Sequence, residues 1–122
     1  MKKNKLQDLA SERAVLAALC QHGLDCYLDI DFVDSDHFTD DMNQVLFSCI
    51  HKTISDNAKV ELTSILSAAN SLGVSDALNN KEEMGFIRSL FNFPVDLENS
   101  QIHAAKIAKL KLARDLKNIG ID

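Results

Sequence analysis

Three features of the 122-residue sequence predict an all-α fold. Only 4 Gly and 1 Pro are present, too few turn-formers for a sandwich or barrel of short strands. Ala, Leu and Lys, all good helix formers, are plentiful. Apolar residues recur every three or four positions, and no stretch shows the convincing period of two that a half-buried strand requires. With 46% hydrophobic and 25% charged residues the chain can build one core, so five or six helices joined by short loops are expected in a single domain.

Residues 1–10 are polar and lysine-rich and read as a flexible tail. "SERAVLAALCQHG" follows as a helix, with Ser11 placed to cap it and Glu12 in its electropositive first turn. Ala14, Val15, Ala18, Leu19 and His22 share one face, and Gly23 supplies the stop. "CYLDID" suits a brief helix. The next long helix, started by Asp36 or Thr39, carries Met42, Val45, Leu46, Cys49, Ile50 and Ile54 as its apolar stripe. Thr63 is placed to cap "SILSAANSLG", where Ile65, Leu66 and Ala69 face inward and Gly73 ends the run. "VSDALNN" reads as a loop or short turn. "KEEMGFIRSLFNF" is a helix bearing Met84, Ile87, Leu90 and Phe91, weakened near its start by Gly85 and stopped by Pro94. The last helix begins near Asn99 or Ser100 and continues to about residue 118.

The stretch "DIDFVDSDHFTDD", residues 29–41, holds six aspartates and invites a metal reading. A calcium loop of the EF-hand type needs a ligand at its fifth position, a glycine at its sixth and a glutamate at its twelfth. Counted from Asp29, those positions are Val33, Asp34 and Asp40. Capping explains the stretch better: Asp34, Asp36 and Asp40 stand where carboxylates meet the free amides of a first helical turn. Phe32 and Phe38 would be the buried anchors of the loop.

Other chemistry fails on similar grounds. Cys20 and His22 lie two apart on a helix and point in different directions, so with Cys26 they make a poor zinc site. The three cysteines, Cys20, Cys26 and Cys49, read as reduced and buried. Neither Ser11 with Glu12 nor His103 with its neighbouring lysines has a third group to complete a catalytic set. No glycine-rich phosphate loop is present, so no cofactor is expected in this chain. A net charge of −5 argues against nucleic acid as the main ligand, and Lys106, Lys109, Lys111, Arg114 and Lys117 read as a solvated helix face. No run reaches the ~18 apolar residues of a membrane span, and "MKKNKLQDLAS" lacks the apolar middle of a signal peptide, so a cytoplasmic location is expected.

The last helix carries the most informative pattern. At about 100° per residue, Ile102, Ala105, Ala108, Leu112, Ala113, Leu116 and Ile119 form one broad stripe, expected to face the core. Ala104, Ile107 and Leu110 fall on the other side, beside Arg114. One exposed Leu and one exposed Ile are ordinary on any surface. Yet Phe86, Phe91 and Phe93 in "GFIRSLFNFPV" exceed what one short amphipathic helix normally buries, which favours contact with another chain.

These residues together resemble the N-terminal domain of DnaB-family replicative helicases over nearly the whole sequence. Glu12 followed by Ala14, Val15, Leu16, Ala17, Ala18 and Leu19 is similar to that family's opening helix. Asp36, Phe38, Leu46, Phe47 and Ile50 resemble its acidic–x–Phe segment and the helix after it, and "KVELTSILSAANSLG" is similar to its Pro-Val-Asp-Leu-x-Thr-Val start, with Lys59 and Glu61 in place of Pro and Asp. Leu90, Asn99, Arg114 and Leu116 stand where its closing hairpin has Leu, Asn and Arg-x-Leu. Departures at "EEMG", where Gly-Gly is usual, and at His103, where Tyr is usual, would suit a divergent, phage-borne member.

The resemblance implies a compact orthogonal bundle ending in a helical hairpin at 11–118, with 119–122 starting a linker to an absent ATPase domain. It implies a non-catalytic assembly domain that pairs with itself, as a dimer or within a trimer of dimers, and docks primase or a helicase loader. ATP and Mg would belong only to the motor. The expected self-association face is Phe86, Leu90, Phe91, Phe93, Ala104, Ile107, Leu110 and Arg114. Alternatives are the helicase-binding domain of a primase and a free-standing acidic adaptor or inhibitor.

Overall fold

The structure, a computed structural model, describes residues 6–120. Seven α-helices follow one another: α1 (Leu9–His22), α2 (Leu24–Asp29), α3 (Asp41–Ser55), α4 (Leu62–Ser71), α5 (Ser75–Leu78), α6 (Lys81–Leu90) and α7 (Leu97–Asn118). A single 3-10 turn, Ser35–His37, precedes α3, and no strand occurs among the described residues. The fold is all-α, as the sequence predicts. The helix count rises to seven because α5, in the expected loop or short turn at "VSDALNN", closes one helical turn that drives Leu78 into the core.

The bundle is built around α1. Its residues from Ala14 to Cys20 are all buried, so the one-faced stripe expected from the sequence becomes a helix covered on every side. Small side chains make this possible, because Ala14, Ala17 and Ala18 let neighbouring backbones come close. The most extensive helix–helix contact joins α1 to α7, and α1 also meets α2, α3 and α6. Although α6 and α7 are consecutive across residues 91–96, each seats chiefly on α1 rather than on the other. On the far side, α4 packs on α3 and α5 bridges α4 to α6.

Several caps differ from the sequence expectation. Asp8 caps α1, its carboxylate accepting from the Ser11 amide at 3.0 Å, so the helix starts at Leu9 and Ser11 lies inside it. The expected tail at 1–10 is therefore shortened from its inner end, while residues 1–5 lie outside the described residues. Gln7 Nε2 donates to Thr39 Oγ1 at 2.8 Å, which ties this segment to the start of α3. Asp40, not Asp36 or Thr39, caps α3, accepting from the amides of Met42 and Asn43. Asp34 caps the 3-10 turn, and its contact with the His37 ring completes a reciprocal pair. Two of the six aspartates thus do the capping work read from the sequence. Phe38 is fully buried as expected, but Phe32 is half exposed. Thr63 caps nothing: Glu61 holds the N-cap position of α4 without a side-chain bond.

Candidate functional site

The site is built from α7, because that helix carries apolar side chains on two faces. Ser100, Ala104 and Ile107, spaced four and three apart, are the buried residues of this helix. Two of the three are small, which suits the close approach of α7 to the alanine-rich α1. The broader stripe stays outside. Ile102 is 65% exposed, Leu112 58%, Leu116 37% and Ile119 69%. The helix does carry apolar side chains on two faces, but the faces are exchanged relative to the sequence expectation. Stripe width misled, because the α1 groove selects small residues rather than the larger number of apolar ones.

The eight residues expected at a self-association face divide accordingly. Leu90, Ala104 and Ile107 are buried in their own chain's core, where no partner could reach them without unfolding. Phe86, Phe91 and Phe93 are half-buried and packed against that core. The Phe86 and Phe93 rings are covered internally by Arg13, a residue the sequence did not single out. The Arg13 guanidinium lies 5.3 Å from the Phe86 ring centre and 5.0 Å from that of Phe93, and Nη2 donates to Ser89 Oγ at 3.2 Å. Gln21 Nε2 donates to the carbonyls of Leu90 at 2.9 Å and Phe93 at 2.7 Å, fixing the loop after α6. Arg114 Nη1 donates to the Leu6 carbonyl at 2.8 Å. Leu110 remains half-exposed, at the border between the two faces.

Polar clusters complete the picture. Ser11, His103, Asp8 and Lys106 meet at the start of α1. Ser11 Oγ donates to Asp8 Oδ2 at 3.0 Å, and Lys106 Nζ lies 2.7 Å from the same oxygen. His103 Nδ1 is 3.5 Å from Ser11 Oγ. With its proton given to Asp8, the buried serine is not activated by the histidine, so the set clamps α1 to α7 rather than forming a nucleophile. The ion pair with Lys106 and the Ser11 amide hold the Asp8 carboxyl down at about 2. Glu12, also buried, accepts from Thr39 Oγ1 at 2.6 Å, from the Thr39 amide and from Asn43 Nδ2 at 3.1 Å. Its role is to satisfy the donors where α1 meets the entry to α3.

Burial pushes the Cys20 thiol up to about 12 and those of Cys26 and Cys49 to about 11. Among the basic residues of α7, Lys111 pairs with Asp115 at 2.7 Å. No group of three His, Cys, Asp or Glu suited to a metal occurs among the described residues. No described helix is long and apolar enough to cross a membrane.

The comparisons agree with this architecture. The fold is similar to that of the crystal structure of the N-terminal domain of DnaB helicase from Mycobacterium tuberculosis, with a TM-score of 0.81. The identity is 18%, and the likeness covers 96% of this chain and 81% of that one. No curated protein matches the sequence. The family described as DnaB-like helicase N-terminal domain matches residues 4–109. A match over most of the sequence, on a bundle threaded by the helix that carries the opening Ala-Val-Leu run, means that this chain belongs to the DnaB-like helicase N-terminal domain family.

Proposed function

We propose that this chain is the non-catalytic assembly and partner-docking domain of a replicative DNA helicase, and that copies associate through the exposed face of α7. The observation that carries the reading is the exposed row of Leu112 and Leu116 on the outer side of a 22-residue helix, continued by Ile119 at its C-cap, with Ile102 nearer its start. Such a row is a helix-packing seam without a covering helix. A second α7 laid against it would bury large apolar side chains from both chains, each contributing up to about 1.5–3 kcal/mol before association costs. A weak pair would become strong once linked contacts in a ring act together. In the parent protein ATP and Mg²⁺ would be handled by a separate motor domain, primase or a loader would dock on the assembled domains, and the cytoplasm is the matching location.

Sedimentation equilibrium tests the reading. The isolated chain is expected to self-associate reversibly, and Leu112→Asp to weaken association at least tenfold while leaving helical circular dichroism unchanged. Ile107→Asp is the contrasting variant, expected to lose helix because that side chain is core. A chain that stays monomeric up to millimolar concentration, or a Leu112→Asp variant that associates as well as the parent, would remove this surface.

A further inference from the structure

A second surface lies away from α7, on the outward side of α3. Gln44, Val45, Ser48, His51 and Lys52 recur at helical spacing and form the floor of a trough. One wall is the loop from Asp31 to Ser35, and the other is the end of α4 with Leu72 and Val74. Two cavities of about 440 and 350 Å³ share Ser35, Ser48 and Leu72, so the trough is continuous. Lys52 lies eight positions beyond Gln44 on α3, a run of about 12 Å, or roughly two helical turns of a guest.

Its lining is mixed in a directed way. Leu72 is exposed, and Val45 and Val74, packed against the core on their inner side, are half-exposed, giving the trough an apolar middle. At one end Tyr27 meets the His51 ring edge-on at 5.3 Å, and the Tyr27 hydroxyl lies 3.2 Å from His51 Nε2. Beside this aromatic end stand Asp31 and Asp34. Asp31 has no ion-pair partner among the described residues. Asp34 accepts from the Asp36 amide and meets the His37 ring, and Lys111 of α7, which lies near enough to feel the charges of Asp34 and Asp36, is itself paired with Asp115. The only cation lining the trough, Lys52, is held by Asp56 at 3.0 Å. The charge presented to an incoming segment is therefore negative, on a chain whose net charge is −5.

We infer that this trough is a docking site for a short basic, amphipathic segment of a partner protein. Apolar side chains of the guest would fill the space over Val45 and Leu72, and a Lys or Arg would reach Asp31 and the Tyr27–His51 pair. The inference is independent of self-association, since the lining residues lie on α2, α3, the acidic loop and the Leu72–Val74 connection after α4, not on α7.

Selection of a random dodecapeptide phage library against the folded chain tests it. Enriched peptides are expected to combine two or more Lys or Arg with apolar residues at helical spacing. Their synthetic forms should lose at least tenfold in affinity to Asp31→Lys and to Leu72→Ser, both exposed positions, and should bind Leu112→Asp as well as the parent. Absence of enrichment, enrichment of acidic or uncharged peptides, or binding that survives both trough variants overturns the inference. If Asp31→Lys instead weakens self-association in the ultracentrifuge, the occupant is a second copy of this chain, and the partner assignment is wrong.

Discussion

Asp8 shows how one carboxylate can set both a boundary and a pH response. It caps α1, takes the Ser11 hydroxyl and pairs with Lys106, so its folded-state carboxyl sits at about 2 against an ordinary 3.8. A depressed acid contributes stability that is fully present above its unfolded value and fades as pH falls through the folded one. Between pH 3.8 and about 2 the wild-type chain should therefore lose stability that Asp8→Asn never had. Urea midpoints across that range should show a shallower acid slope for Asp8→Asn. At neutral pH, Asp8→Ala should cost about 1 kcal/mol as a lost cap. The sequence suggested a cap near this point but chose Ser11, because serine is a good cap and the residues before it look like tail. Asp8 is as good a cap by type, and what further holds its carboxylate is Lys106, nearly a hundred positions away. No local rule contains that residue.

Helices were legible where their interior pattern was strong, and faces were legible only where one stripe dominated. Leu46, Cys49, Ile50 and Ile54 of α3 point inward as their spacing demands. α7 defeated the same rule because both of its faces are apolar, and the choice between them was made by the contour of α1. Arg13 defeated it differently, since a cation spanning two phenylalanine rings hides grease that composition alone would leave exposed. At this scale Gly85 offers a direct measurement. It sits inside α6 without positive φ, and a Cβ added there meets nothing within 4 Å. Gly85→Ala should raise stability by roughly 0.5–1 kcal/mol, seen as a higher denaturation midpoint with an unchanged denaturant slope. A loss of stability would mean that α6 is tighter against its surroundings than its open side indicates.

Across the whole molecule, the buried side chains of the seven helices join into one continuous core. That core contains all three cysteines, and thiols pushed to about 11 or 12 are almost wholly protonated near neutral pH. A thiol reagent such as Ellman's should leave the native chain nearly unlabelled and titrate three groups after unfolding in guanidinium. Fast native labelling of one group would show that its part of the core opens readily. The class of fold and the reduced cysteines could be read from composition and spacing. The order in which helices wrap one another could not, because it depends on long-range contacts that periodicity does not encode.

That wrapping has a further consequence. A helix enclosed on all sides belongs to every layer of the bundle at once, so loosening any one neighbour still leaves α1 held by the others. The domain can fray at its rim, in α5 or the last turns of α7, without giving way at its axis. If the proposed assembly role holds, a build of this kind lets outer helices loosen while the centre stays fixed.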